Sequence, residues 1–257
     1  MLKEPLSSSS SASLVRTVEW QLVLSHGANM IGSKAWEFAM PLLLVGLSGG
    51  RLIAPAVLGI ATTSAEVLLG PVVGRWNDRE ASRFYVVCVG AGTQAVAVLA
   101  TLAMLLLAQA LECDGNISGL SDDPAWFAGS RPTLGGAVFL SICVCGIFEV
   151  TGRMASSVSV QRDWVPTAFE AEGEEVLTRV NAKMANIDLL GEILGPLIAG
   201  FVFAVAPTPV AGFAAIGIFN GLSFGPQLWL LAAARARSPA LQALRSAEAK
   251  DESEPAA

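Results

Sequence analysis

Long apolar runs broken by only a few polar residues dominate this chain, at about residues 20–47, 52–74, 84–110, 133–152, 184–206 and 209–234. Each is long enough to cross a hydrocarbon core, because about 20 residues at ~1.5 Å rise cover its ~30 Å. The pattern predicts six spanning helices, the fifth beginning near Val176 on the aqueous side, and hence an all-α, polytopic membrane fold. Glycines recur at four-residue spacing in Gly70-x-x-x-Gly74, Gly191-x-x-x-Gly195 and Gly217-x-x-x-Gly221-x-x-x-Gly225. In lipid such small residues let helix backbones approach.

Composition supports an apolar solvent: 53% of residues are hydrophobic and 15% charged, with a mean hydropathy of +0.57. Lysines and arginines place the helix ends, since cytoplasmic flanks retain them. Lys3 and Arg16 precede the first span, Arg75, Arg79 and Arg83 fill the second connection, Arg153, Arg162 and Arg179 the fourth, and Arg235, Arg237, Arg245 and Lys250 follow the last. Only Arg51 and Arg131 fall on the other side, so both flanks are expected in the cytoplasm. The expected divisions are a disordered cytoplasmic leader over 1–19, a six-helix lobe over 20–234 and a polar cytoplasmic tail over 235–257. The net charge of −6 comes largely from solvated acids, Glu170 to Glu175 and Asp251 to Glu254, and implies no acidic or nucleic-acid partner.

The third connection, about Glu112 to Pro132, is long and polar and contains Cys113 and the acceptor triplet Asn116-Ile117-Ser118. The fourth, Ser156 to Glu175, interleaves Val158, Val160, Trp164 and Val165 with Arg162 and Asp163, and is expected to lie along the inner membrane surface. The four cysteines form neither a disulfide framework nor a zinc spacing.

Polar groups inside spans are costly in hydrocarbon unless they face a partner or water. Here they are Ser33, Lys34 and Glu37; Glu66; Gln94; Glu149; Asn186, Asp188 and Glu192; and Asn220 and Gln227. At ~100° per residue Asn181, Asp188 and Glu192 share a narrow stripe. Ser33 and Glu37 share another, with Lys34 beside them able to pair with Glu37 or Asp188. Three readings stay open: hard oxygen ligands converging on a divalent cation, internal polar glue between helices, and proton coupling through Glu37 or Asp188.

Gly74-Arg-Trp-Asn-Asp78-Arg79 resembles the short inner-loop signature of the major facilitator superfamily. It predicts a turn placing Asp78 at a helix N-terminus, where the macrodipole favours a negative charge. Gly221-Leu-Ser223-Phe-Gly225 and Gly46-Leu-Ser48-Gly49 have the form of serine-nucleophile motifs, yet the single histidine, His26, starts helix 1 about 33 Å along that helix from Ser48. They read as chance matches, and His26 as an interfacial residue. No phosphate-cradling loop occurs, so transport would be secondary and no enzyme activity or cofactor is expected.

Gly32-Ser-Lys-Ala-Trp36-Glu37-Phe38, Gly70 to Asp78, Val160-Gln161-Arg162-Asp163-Trp164-Val165, Ile187-Asp188-Leu189-Leu190 before Pro196, and Asn220 resemble in order and spacing the ferroportin (solute carrier 40) family. The similarity runs from about His26 to Leu241 and covers the amino-terminal lobe only, implying the six-helix lobe of a major-facilitator-type transporter. The resemblance implies export of ferrous iron or a related divalent metal by alternating access. It places metal-site positions at Ser33, Glu37, Asn181, Asp188 and Asn220, and gating positions at Asp78, Arg79, Arg162 and Asp163. Ser33 stands where animal members carry Asp, and Glu37 where they carry His.

The expected surroundings are a lipid bilayer, a divalent metal ion, and a second lobe or a second copy of the chain. The plasma membrane is the expected location, a plastid or vacuole membrane the alternative. The rival reading is a non-transporting half that is truncated or serves as an assembly partner.

Overall fold

The structure, a computed structural model, describes residues 8–48, 50–112 and 132–243. The described chain is all helix: α1 Ser8–Leu47, α2 Ile53–Arg79, α3 Arg83–Glu112, α4 Pro132–Ser159, α5 Val165–Phe169, α6 Glu174–Val205, α7 Pro209–Arg237 and α8 Pro239–Gln242. Six helices are long and apolar enough to cross a membrane, as the pattern of apolar runs predicts.

Several boundaries differ from expectation. Helix α1 starts at Ser8, well inside the segment expected to be disordered, because Val18 and Glu19 are buried against the bundle. The fourth connection does not run along the membrane surface. Helix α4 instead passes through a π-helical turn, Val160–Trp164, directly into α5. Val160, Trp164, Val165 and Phe169 are there buried against Val18, Leu22, Val180 and Leu231. A π turn inserts one extra residue into the helix, which keeps these apolar side chains facing inward past Arg162. Gly173, with φ of 99°, breaks the chain before α6. Asp78 lies in the last turn of α2 rather than at the start of a helix. Cys113, the Asn116 triplet, residues 1–7 and the chain from 244 to 257 lie outside the described residues.

Helix α1 packs between α6 and α7, α4 packs between α2 and α3, and α3 closes the bundle against α7. Two apolar clusters result. One, at the end carrying residues 47 and 209, gathers Trp36, Leu43, Leu44, Leu58, Leu102, Ile142, Phe213 and Ile216, with the Trp36 and Phe213 rings 4.7 Å apart. The other lies at the arginine-rich end around Leu22, Trp164, Phe169, Val180 and Leu231. Between them every spanning helix contributes polar residues: His26 to Glu37, Glu66, Gln94, Glu149 to Ser156, Asp188 to Glu192, and Asn220 to Gln227.

Glycine sets the tightest helix crossings. A Cβ on Gly152 would stand 2.6 Å from the Gly90 carbonyl oxygen and 2.7 Å from the Gln94 nitrogen, and one on Gly90 2.8 Å from the Gly152 oxygen. A Cβ on Gly195 would meet the Lys34 carbonyl carbon at 2.7 Å and the Ala35 nitrogen at 2.8 Å. These neighbours are backbone and cannot yield. Helix α7 starts conventionally, with the Thr208 side chain accepting from the Ala211 N–H at 3.1 Å and Pro209 in the first turn.

Gly152→Leu is expected to lower the unfolding temperature of the detergent-solubilised chain, at an overpacking cost of about 1–3 kcal/mol. Gly59→Ala, where the added Cβ meets nothing within 4 Å, should leave the midpoint within error, and equal shifts in the two variants would refute the crossing argument.

Candidate functional site: a polar layer between two apolar cores

The polar layer consists of three linked neighbourhoods. On the α1–α6 seam, Gly191 and Gly195 admit helix α1 so closely that the Lys34 side chain passes over them. Its ammonium reaches Glu37 Oε2 at 2.9 Å and Glu192 Oε1 at 2.8 Å. Lys34 is largely covered, while both carboxylates are more than half exposed on the open face of the lobe. Lys34 therefore pairs with Glu37, as one expected option had it, and with Glu192 rather than Asp188.

The second neighbourhood runs across four helices. Arg153 donates to Glu66 Oε1 on α2 at 2.8 Å and stands 3.8 Å from Glu149 Oε1 on its own helix. Gln94 Nε2 on α3 donates to Glu149 at 3.0 Å and to Ser33 Oγ on α1 at 2.8 Å, and Ser33 donates on to Asn29 Oδ1 at 3.3 Å. Deeper in the same layer, Gln227 donates to Ser156 Oγ at 3.1 Å. The Gln94, Asn220 and Gln227 side-chain oxygens there are buried without a hydrogen-bond donor. Gly32 makes room for this interior, since a Cβ on it would lie 2.9 Å from Asn220 Oδ1 and 3.1 Å from Ser223 Oγ.

Toward the arginine-rich end lies the third neighbourhood. His26, only 2% exposed, contacts Asp188 Oδ1 at 2.6 Å, and Gln161 from the π turn donates to Asp188 Oδ2 at 3.2 Å. His26 is thus a buried partner of Asp188 and not an interfacial residue. Beyond it, Arg83 holds Asp163 at 3.1 Å, and the buried Glu19 is bound by Arg179 at 3.2 Å and by Lys183.

The five expected metal positions are therefore distributed. Ser33 and Asn220 lie inside the lobe, Glu37 stands on the open face, Asp188 is half-exposed beside His26, and Asn181 is exposed about two turns nearer the arginine-rich end. Among the described residues no three His, Cys, Asp or Glu side chains are grouped to hold a metal by themselves. Of the four gating positions, Asp163 is anchored by Arg83, while Asp78, Arg79 and Arg162 are exposed. Arg153, expected in the aqueous connection, is instead the cation at the centre of the layer. Its spacing of four from Glu149, with Glu66 on a neighbouring span in need of a counter-charge, is the signal that points to it. Ser48 donates to Val45 and Arg51 carbonyls and Ser223 to the Asn220 carbonyl, so neither serine is set beside a base.

Residues 16–257 match the family model described as Ferroportin1 (FPN1). Ferreportin of Bdellovibrio bacteriovorus is 30% identical over 221 residues, which make up 85% of this chain and 46% of that protein. Among solved structures, a bacterial homologue of the iron transporter ferroportin in the outward-facing state matches at a TM-score of 0.70 with 28% identity, covering 87% of this chain and 50% of that one. The same description in the inward-facing state matches at 0.69 with 29% identity, covering 86% and 51%. The chain thus spans about half the length of the relatives it matches.

Arg153→Met leaves Glu66 and Glu149 without their cation. A marked fall in the unfolding midpoint is expected, with partial recovery in Arg153→Met/Glu149→Gln. A double variant as unstable as the single one would show that charge balance is not what Arg153 supplies.

Proposed function

The chain belongs to the ferroportin family, a family of transporters rather than enzymes, and on that premise we propose that it forms one lobe of a secondary transporter. The proposed cargo is ferrous iron or a related divalent metal ion, moved out of the cytoplasm by alternating access, with the plasma membrane as the place of action. The observation that carries this is the balance of the polar layer: four carboxylates, Glu37, Glu66, Glu149 and Glu192, share two fixed cations, Lys34 and Arg153. On the open face this leaves two carboxylates, Glu37 and Glu192, to one cation, Lys34, an excess of negative charge that lipid covers only at high cost and that a divalent cation would neutralise.

In this reading Glu37 receives the ion on the open face, and the Lys34 ammonium holds the place between Glu37 and Glu192 until the ion displaces it. Ser33 and Asn220 offer neutral oxygens behind it, in company with the unpaired Gln94 and Gln227 oxygens. Asp188 and Asn181 line the route toward the arginine-rich end. Asp78, Arg79, Arg162 and Asp163 form the gate there, with Asp163 fixed by Arg83.

The same face supports a partner. Mid-span carboxylates more than half exposed call for a second six-helix unit, a second lobe or a second copy of this chain, to enclose the aqueous path. The rival reading, a half that assembles without transporting, draws on the same feature.

The chain reconstituted in liposomes is expected to move Fe²⁺ or Co²⁺ down a gradient. Glu37→Gln/Glu192→Gln should reduce that flux at least ten-fold, and Asp188→Asn several-fold, with insertion into the bilayer unchanged. Wild-type chain that inserts as a monomer and passes no metal would favour the assembly-partner reading.

A further inference from the structure

At the arginine-rich end a cleft of about 530 Å³ is lined by Phe84, Ala232, Arg235, Ala236 and Gln242. The Arg235 guanidinium caps the Phe84 ring at 5.5 Å. Unlike Arg83, Arg179 and Lys183, which are neutralised by Asp163 and Glu19, Arg235 has no carboxylate partner among the described residues. Two features favour an anion beside it. Helix α3 begins at Arg83 and directs its positive end here. The carbonyls at the negative end of α7 are already taken, those of Arg235 and Ala236 by Gln242 and that of Ala233 by Arg237.

The cleft continues into the membrane-spanning region. On α3, Phe84, Cys88, Gly92, Ala95 and Leu99 fall within about 80° of one another, and on α7, Gly221, Gly225, Leu228, Ala232 and Arg235 do likewise. The two stripes face each other, because Phe84 lies under Arg235 and a Cβ on Gly221 would meet Leu99 at 3.5 Å. Between those contacts a Cβ on Gly92 or on Gly225 would meet nothing within 4 Å. The groove is apolar and ends on Arg235, which has no carboxylate partner among the described residues, at the arginine-rich end of the spans.

We propose that this cleft and groove bind one anionic glycerophospholipid, its phosphate on Arg235 and one acyl chain along the α3–α7 groove. The acidic segment Asp251 to Glu254 is the competing anion, but a polar tail has no use for an apolar groove at span depth. The site goes beyond the transport reading and does not depend on it.

Native mass spectrometry of the full detergent-purified chain tests this with phosphatidylglycerol and phosphatidylcholine of identical acyl chains. One phosphatidylglycerol should be retained at least ten-fold better than phosphatidylcholine. Arg235→Gln should abolish that preference, Gly225→Leu should reduce retention of both lipids, and thermal midpoints confirm folding. A chain ending at Ala243 should retain phosphatidylglycerol as the full chain does. Unchanged retention in Arg235→Gln overturns the proposal, as does retention that appears only after the tail is removed.

Discussion

A charge at the centre of a bilayer has to be neutralised or wetted, and most of this lobe is arranged around that requirement. Glu66, Glu149 and Arg153 form a chain across α2 and α4, and Gln94 and Ser33 extend it through α3 to α1. Lys34 does the equivalent between α1 and α6. With Gln227 of α7 donating to Ser156 of α4, each of the six long helices is tied by a group that lipid cannot satisfy, while the apolar clusters on either side supply packing without direction. Hydrophobic contact between helices is weakly driven in lipid, so polar links and close packing select the register.

Close packing depends on glycines at the same level as the charges. Gly90 and Gly152 bring α3 and α4 into backbone contact beside Gln94, and Gly195 brings α6 onto α1 at Lys34. Larger residues there would push apart the helices whose side chains must meet. The π turn serves a related purpose at the arginine-rich end. Through it Gln161 reaches Asp188 while Trp164 stays in the core.

These ties make the lobe a unit. It matches solved relatives in both the outward-facing and the inward-facing state at TM-scores of 0.70 and 0.69. Trp36 and Phe213 pack 4.7 Å apart in the apolar cluster on the side of the amide layer away from the arginine-rich end.

Hydrophobic run lengths determined the number and order of the six long helices, because the thickness of the bilayer sets a minimum length for every span; the start of α1 and the end of α4 lay well outside the apolar runs. The leader and the fourth connection were misread: local polarity does not report that Val18, Glu19, Trp164 and Phe169 find partners on distant helices. The list of polar residues within spans already contained most of the polar layer, since each such residue is anomalous in hydrocarbon and so visible alone. Which of them meet was decided only in three dimensions. Asp188 finds His26 and Gln161, Lys34 finds Glu192, and Arg153 belongs inside the layer although it looks like a flanking cation. Helical periodicity reports the face a residue occupies, whereas the rotation of one helix against another is set by glycine crossings and a π turn that exist only once the helices have packed.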